Sequence, residues 1–84
     1  MRTASLSAAR RQQLQAESIR RCNSLPSQSY VLAVLAEKGG QAVFSTTYGD
    51  LAKAAYQLQK EGWLAVTGTC QNLLGQDVVQ CTAV

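Results

Sequence analysis

Apolar and polar positions recur at helical spacing through residues 47–63 and form two opposite faces. The apolar face consists of Leu51, Ala54, Ala55 and Leu58. The opposite side, which we call the cationic face, carries no acid and consists of Lys53, Tyr56, Gln57 and Lys60. The pattern predicts one helix over residues 48–61 that packs its apolar face into a core and presents the cationic face outward. Thr47 and Asp50 are spaced as capping residues for its start.

A second helix is predicted over residues 26–38, where apolar residues share one face and glycines follow at once. Gly39 and Gly40 are expected to end it, because glycine readily adopts the left-handed conformation that closes a helix. Ser24 is the expected cap at its start, with Pro26 in the first turn. This helix is the predicted centre of the core.

Residues 4–22 are rich in Ala, Gln, Arg and Leu, which favour a helix. The apolar residues of this segment do not form one stripe, since Ala8, Ile19 and Cys22 fall on one side and Leu14 points elsewhere. We therefore expect this helix to form only against a partner or a second copy of the chain.

Strand patterns occupy the rest of the chain. Residues 41–45 read as a short strand, and residues 63–70 and 77–84 alternate as a closing hairpin. Pairing Val66 with Cys81 and Gly68 with Val79 gathers the apolar residues on one face, which is how register is normally set. The predicted order is helix, helix, strand, helix, hairpin, in a small α+β domain.

Charge divides the chain into two parts. It has 84 residues and a formal net charge of +3, which is the size of one small domain. Residues 1–24 contain five arginines against one acid, whereas residues 25–84 contain three lysines against four acids. We describe residues 1–24 as a basic N-terminal helix or arm and residues 25–84 as the domain. The arm suits phosphate or an acidic protein surface, and its candidate binding residues are Arg10, Arg11, Arg20 and Arg21.

The segments Tyr-Gly-Asp-Leu-Ala-Lys at 48–53 and Leu-Gln-Lys-Glu-Gly-Trp-Leu at 58–64, followed by the hairpin, resemble the winged-helix DNA-binding superfamily. The resemblance covers roughly residues 28–84 and implies a recognition helix followed by a two-stranded wing. The chain departs from the family pattern in having one helix, where the family usually has two, between the short strand and the wing. The wing loop departs as well, since it carries Leu73 and Leu74 and no Arg or Lys.

Two functions remain open from the residues. One is a DNA-binding transcriptional regulator that acts as a homodimer, with the cationic face and the arginines on duplex DNA. The other is a protein-binding module on a winged-helix-like scaffold, either an inhibitor, an adaptor or an assembly factor, which contacts an acidic partner through Leu73, Leu74 and the basic helix without touching nucleic acid.

Catalytic chemistry has no recognisable motif in the chain. There is no histidine, no nucleophile paired with a base and no glycine-rich phosphate loop, so we expect no enzyme, no cofactor and no metal site.

The three cysteines are expected to be small buried hydrophobes, with Cys22 the most exposed and with Cys70 and Cys81 on one face but not opposite each other. Trp63 is expected in the core. No apolar run is long enough to span a bilayer and no signal-peptide pattern is visible, so we expect a cytoplasmic protein without membrane contact.

Overall fold

The computed structural model describes residues 6–45, 49–71 and 73–84. The elements in chain order are α1 (Ala8–Arg21), α2 (Pro26–Glu37), β1 (Gln41–Ser45), α3 (Gly49–Lys60), β2 (Leu64–Gln71) and β3 (Asp77–Ala83). The strands form one antiparallel sheet in the order β1-β3-β2. This small α+β arrangement confirms the predicted order of elements and is compatible with a winged-helix-like fold.

One apolar core joins all six elements. Its largest fully buried side chains are Leu14 of α1, Leu32 and Leu35 of α2, Leu58 of α3, Leu64 of β2 and Val79 of β3, and Phe44 adds the contribution of β1. Because α1 contributes to this cluster, the first helix packs within the same unit as the sheet.

Glycines end α2 and α3 with the same hydrogen-bond pattern. Gly40 donates its N–H to the carbonyl of Leu35 at 2.7 Å, and Trp63 donates its N–H to the carbonyl of Leu58 at 3.0 Å. The residues that turn the chain before these donors, Gly39 and Gly62, have φ values of 75° and 86°. These bonds satisfy helix carbonyls that would otherwise lack partners, and they confirm the predicted end of the second helix.

The inward side of α1 is the one that carries Leu14 and not the one that carries Ile19 and Cys22. Leu14 is fully buried, whereas Ile19 is 72% exposed and Cys22 is exposed. The helix packs instead through a mixed stripe in which Ser18 and Ser29 of α2 bond each other. The expectation that α1 needs a partner or a second copy is therefore wrong, because α2 of the same chain receives it.

The start of α2 also differs, since Leu25 rather than Ser24 stands at the N-cap and makes no side-chain bond to the helix. Pro26 takes the first helical position as predicted. The capping residue predicted for α3, Thr47, lies outside the described residues, while Asp50 lies in the first turn of that helix.

The hairpin keeps only part of its predicted register. Val66 pairs with Cys81 as expected, but a bulge follows and Gly68 pairs with Gln80 rather than Val79. An extra residue in one strand turns the following side chains to the other side of the sheet. Cys70 is accordingly exposed beside Gln80, with Sγ 3.5 Å from the amide nitrogen, and does not share the core face with buried Cys81.

Candidate nucleic-acid interface

The cationic face lies on the outer side of α3. Lys53, Gln57 and Lys60 are exposed, and Tyr56 is 44% exposed. On the opposite side Ala55 and Leu58 are fully buried. The sequence-based geometry of a continuous helix with one buried side and one cationic side is confirmed.

An acid borders this face, although none of its four residues is acidic. Glu61 follows α3 by one residue and accepts a hydrogen bond from Nε2 of Gln57 at 3.2 Å. The hydrogen bond from Arg21, and then the one from Gln57, lowers the pKa of the Glu61 carboxyl. Glu61 is therefore held ionised at the end of the face, where it orients the Gln57 amide.

Arg21 links the first helix to the residue that follows the third helix. Its guanidinium reaches Glu17 Oε2 at 2.6 Å, Glu61 Oε1 at 2.6 Å and Gln28 Oε1 at 2.5 Å. The Arg21 and Glu17 side chains are only 12% and 10% exposed, and the bonds to both acids raise the pKa of the guanidinium. We call Arg21, Glu17 and Glu61 the charge network. Its local half, Glu17 and Arg21, is visible in the sequence as an i,i+4 pair, whereas Glu61 has no sequence signal because it lies 40 residues away.

Arg10 also makes contacts within the molecule. Its guanidinium carbon lies 4.8 Å from the centre of the Trp63 ring, which is a cation–π contact. Its nitrogens donate to the carbonyls of Val84 at 2.9 Å and Gly62 at 3.3 Å. Arg10 therefore ties α1 to the turn after α3 and to the last residue of the chain. Trp63 itself is half-buried against the core rather than inside it.

The other two arginines of the basic arm face solvent. Arg11 is exposed, and the side chain of Arg20 is 75% exposed with its guanidinium 3.6 Å from Glu17. The structure thus separates the four candidate arginines into two that hold α1 in place and two that remain accessible to a ligand.

A groove separates the cationic face from the start of α2. Lys53 and Gln57 line one wall, and residues 24–28 line the other. The first turn of α2 has no side-chain cap, so its N–H groups give this wall the partial positive charge of a helix N-terminus. Asp50 lies on the same wall as Lys53 and is the acid of this groove.

The wing exposes two apolar side chains. Leu73 and Leu74 are 105% and 84% exposed at the turn between β2 and β3. On the helix side of the wing, Tyr56 lines a second groove together with Thr69 and Asp77. The cationic face and the wing are therefore neighbours.

No cluster of three metal-ligating side chains and no helix able to cross a membrane occurs within residues 6–45, 49–71 and 73–84. Comparison with known proteins finds no family model, curated protein or solved structure that matches this chain.

Proposed function

We propose that this chain is a small, non-enzymatic, cytoplasmic DNA-binding transcriptional regulator that acts as a homodimer. The observation that supports it is the outer side of α3, where two lysines, a tyrosine and an amide are exposed on a helix whose other side is buried. A rigid helix presented in this way has the width that the major groove of duplex DNA accepts.

Each residue of the cationic face has a role that fits its chemistry. Lys53 and Lys60 pair with phosphates, and Tyr56 donates its hydroxyl to a phosphate oxygen. Gln57 reads adenine, which needs one amide N–H and the amide oxygen. Its bond to Glu61 uses only one of its two N–H groups, so the amide is oriented and keeps the second N–H and the oxygen for the base.

The exposed arginines extend the positive surface. Arg11 and Arg20 are accessible and would add phosphate contacts, whereas Arg10 and Arg21 support the surface from within the fold. The uncapped start of α2, opposite Lys53, is favourable for a phosphate as well.

The test is fluorescence anisotropy of a random-sequence duplex titrated with the protein at low and moderate salt. We expect affinity to fall steeply with salt, because each phosphate contact releases counterions. The variants K53E and K60E should each weaken binding by about tenfold or more, which corresponds to about 1.4 kcal/mol. K38E is the matched control, since Lys38 is an exposed lysine that lines the open side of the sheet rather than the cationic face.

Two results would contradict the proposal. One is a folded wild-type protein that does not bind the duplex at low salt. The other is an equal loss of affinity in K38E and in the two cationic-face variants, because that would indicate a response to net charge and not to a surface.

The alternative is a protein-binding module, which the exposure of Leu73 and Leu74 favours. Two leucines at a turn are costly in water and are typical of a protein contact. Under this alternative the K53E and K60E variants keep full affinity for an acidic protein partner, while L73S and L74S variants lose it. Absence of DNA binding by the folded protein at low salt would favour this function.

A further inference from the structure

One outer strand of the sheet has main-chain groups that point away from the molecule. Among the described strands β1 pairs with β3 alone, and the N–H of Ala83 donates to the carbonyl of Gly40 at 2.7 Å. Hydrogen-bonded pairs recur at every second residue of an antiparallel ladder, so Ala42 and Phe44 bond toward β3. Val43 lies between them, and its N–H and C=O point outward, where no described residue bonds them.

The other outer strand is protected. β2 carries the bulge between Val66 and Gly68, and the side-chain oxygen of Gln59 accepts the N–H of Val66 at 2.7 Å. A bulge and a covering side chain are two devices by which proteins prevent an edge from pairing with another chain. The two edges of this sheet are therefore not equivalent.

Around Val43, the described part of the chain provides β1 with neither device. Its five residues are Gln, Ala, Val, Phe and Ser, with no charge, no proline and no bulge. Two hydrophobic side chains at this edge are exposed, one on each side of the sheet. Val43 is 58% exposed on the open side, and Tyr30 of α2 is 55% exposed on the helix side, where its ring meets Phe44 edge-on at 6.2 Å between centroids.

We propose that β1 pairs antiparallel with β1 of a second copy, so that two sheets join into one of six strands. Outward main-chain donors and acceptors on an extended strand are complementary only to another extended strand. An antiparallel pair of identical strands has a two-fold axis, and here it passes beside Val43, whose N–H and C=O bond those of the same residue in the second copy. The uncharged strand meets itself without repulsion, and Val43 and Tyr30 are shielded from water on either side of the seam.

This inference deepens the homodimer of the proposed function, and its test contains no DNA. Analytical ultracentrifugation of the full chain over about two orders of magnitude in concentration reports the dimer, because its population follows mass action. V43K should weaken the dimer by about tenfold or more while leaving the far-UV circular dichroism unchanged, since the side chain is exposed and a second cation stands opposite it across the axis. T67K is the matched control on the protected edge and should dimerise like the wild type.

A cross-link tests the register directly. In a hydrogen-bonded antiparallel pair the Cα atoms are about 5.5 Å apart, which a disulfide spans. V43C in a background with Cys22 and Cys70 replaced by serine should form a disulfide-linked dimer on mild oxidation, and T67C in the same background should not. This second measurement also covers the case in which V43K alters the fold.

A wild-type chain that stays monomeric over the whole range overturns the inference. So does a dimer that V43K leaves intact and V43C fails to trap, since the contact then lies elsewhere. DNA binding is measured independently, so either the proposed function or this interface can fail while the other stands.

Discussion

Replacing Arg21 by methionine is the most informative single perturbation of this fold. The substitution keeps an unbranched chain of similar length but removes a guanidinium that bonds Glu17 and Glu61 at 2.6 Å each and Gln28 at 2.5 Å. The side chains of Arg21 and Glu17 are 12% and 10% exposed, so water replaces these bonds poorly. In the variant, Glu17 retains only Arg20 at 3.6 Å, and that arginine is itself 75% exposed.

The expected loss follows from the separate bonds. Hydrogen bonds to a charged group contribute roughly 1.5–3 kcal/mol each, and leaving one member of a buried ion pair alone costs roughly 3–5 kcal/mol. The Glu61 side chain is 34% exposed, so its share is discounted toward the small value of a surface pair. We expect R21M to lower the free energy of unfolding by about 3 kcal/mol, a large part of the total for a chain of this size.

Urea denaturation followed by circular dichroism and by the fluorescence of Trp63, the single tryptophan, measures this loss. R20M is the control, because an exposed ion pair contributes less than about 1 kcal/mol. If R21M were no less stable than R20M, burial would not strengthen the charge network and our account of how α1 is held would be refuted. A double variant, R21M with E17L, should recover part of the loss, since no buried charge is then left without a partner.

Three further outcomes are expected. Arg21 lowers the pKa of the Glu61 carboxyl from its ordinary value of 4.5. The stability that this contact contributes is therefore present above that pH and is lost as the pH falls through the lower pKa of the folded state. In an acid titration, the free energy of unfolding should fall more steeply with decreasing pH for the wild type than for R21M. Arg10→Ala should lower stability by about 1–2 kcal/mol and change the emission of Trp63, since it removes a cation–π contact and charged bonds to two carbonyls; an unchanged spectrum would contradict this contact. Burial raises the pKa of the Cys81 thiol to about 11, so a thiol reagent at pH about 8 should modify the two exposed cysteines quickly and Cys81 only after unfolding.

The positions of the cysteines show how a β-bulge changes which side of the sheet a residue faces, so that a prediction from alternation is wrong beyond it. Alternation placed Cys70 and Cys81 on one side of the hairpin, and the pairing of Val66 with Cys81 was correctly predicted. The bulge after Val66 then reversed the sides of the remaining residues. A bulge inserts one extra residue into one strand and leaves the alternation of residue types almost unchanged, so periodicity alone does not detect it.

The first helix shows the same limit at the level of packing. Composition predicted a helix within residues 4–22, and α1 spans Ala8–Arg21, but the side that turns inward is not the most apolar one. Ser18 is buried because it bonds Ser29 of α2, and Glu17 is buried because it bonds Arg21 one turn along the same helix. Polar burial of this kind follows from the partner and not from the hydrophobicity of the residue.

The sequence by itself determined the elements and the side of α3 that faces outward, because helical spacing, glycine stops and strand alternation act within a few residues. Tertiary structure alone decided which arginines are accessible, which acid borders Gln57 and which edge of the sheet is open. Those properties depend on contacts such as that of Arg21 with Glu61, 40 residues apart, and on the order in which the strands pair within the sheet. Only folding brings such distant residues to a common surface.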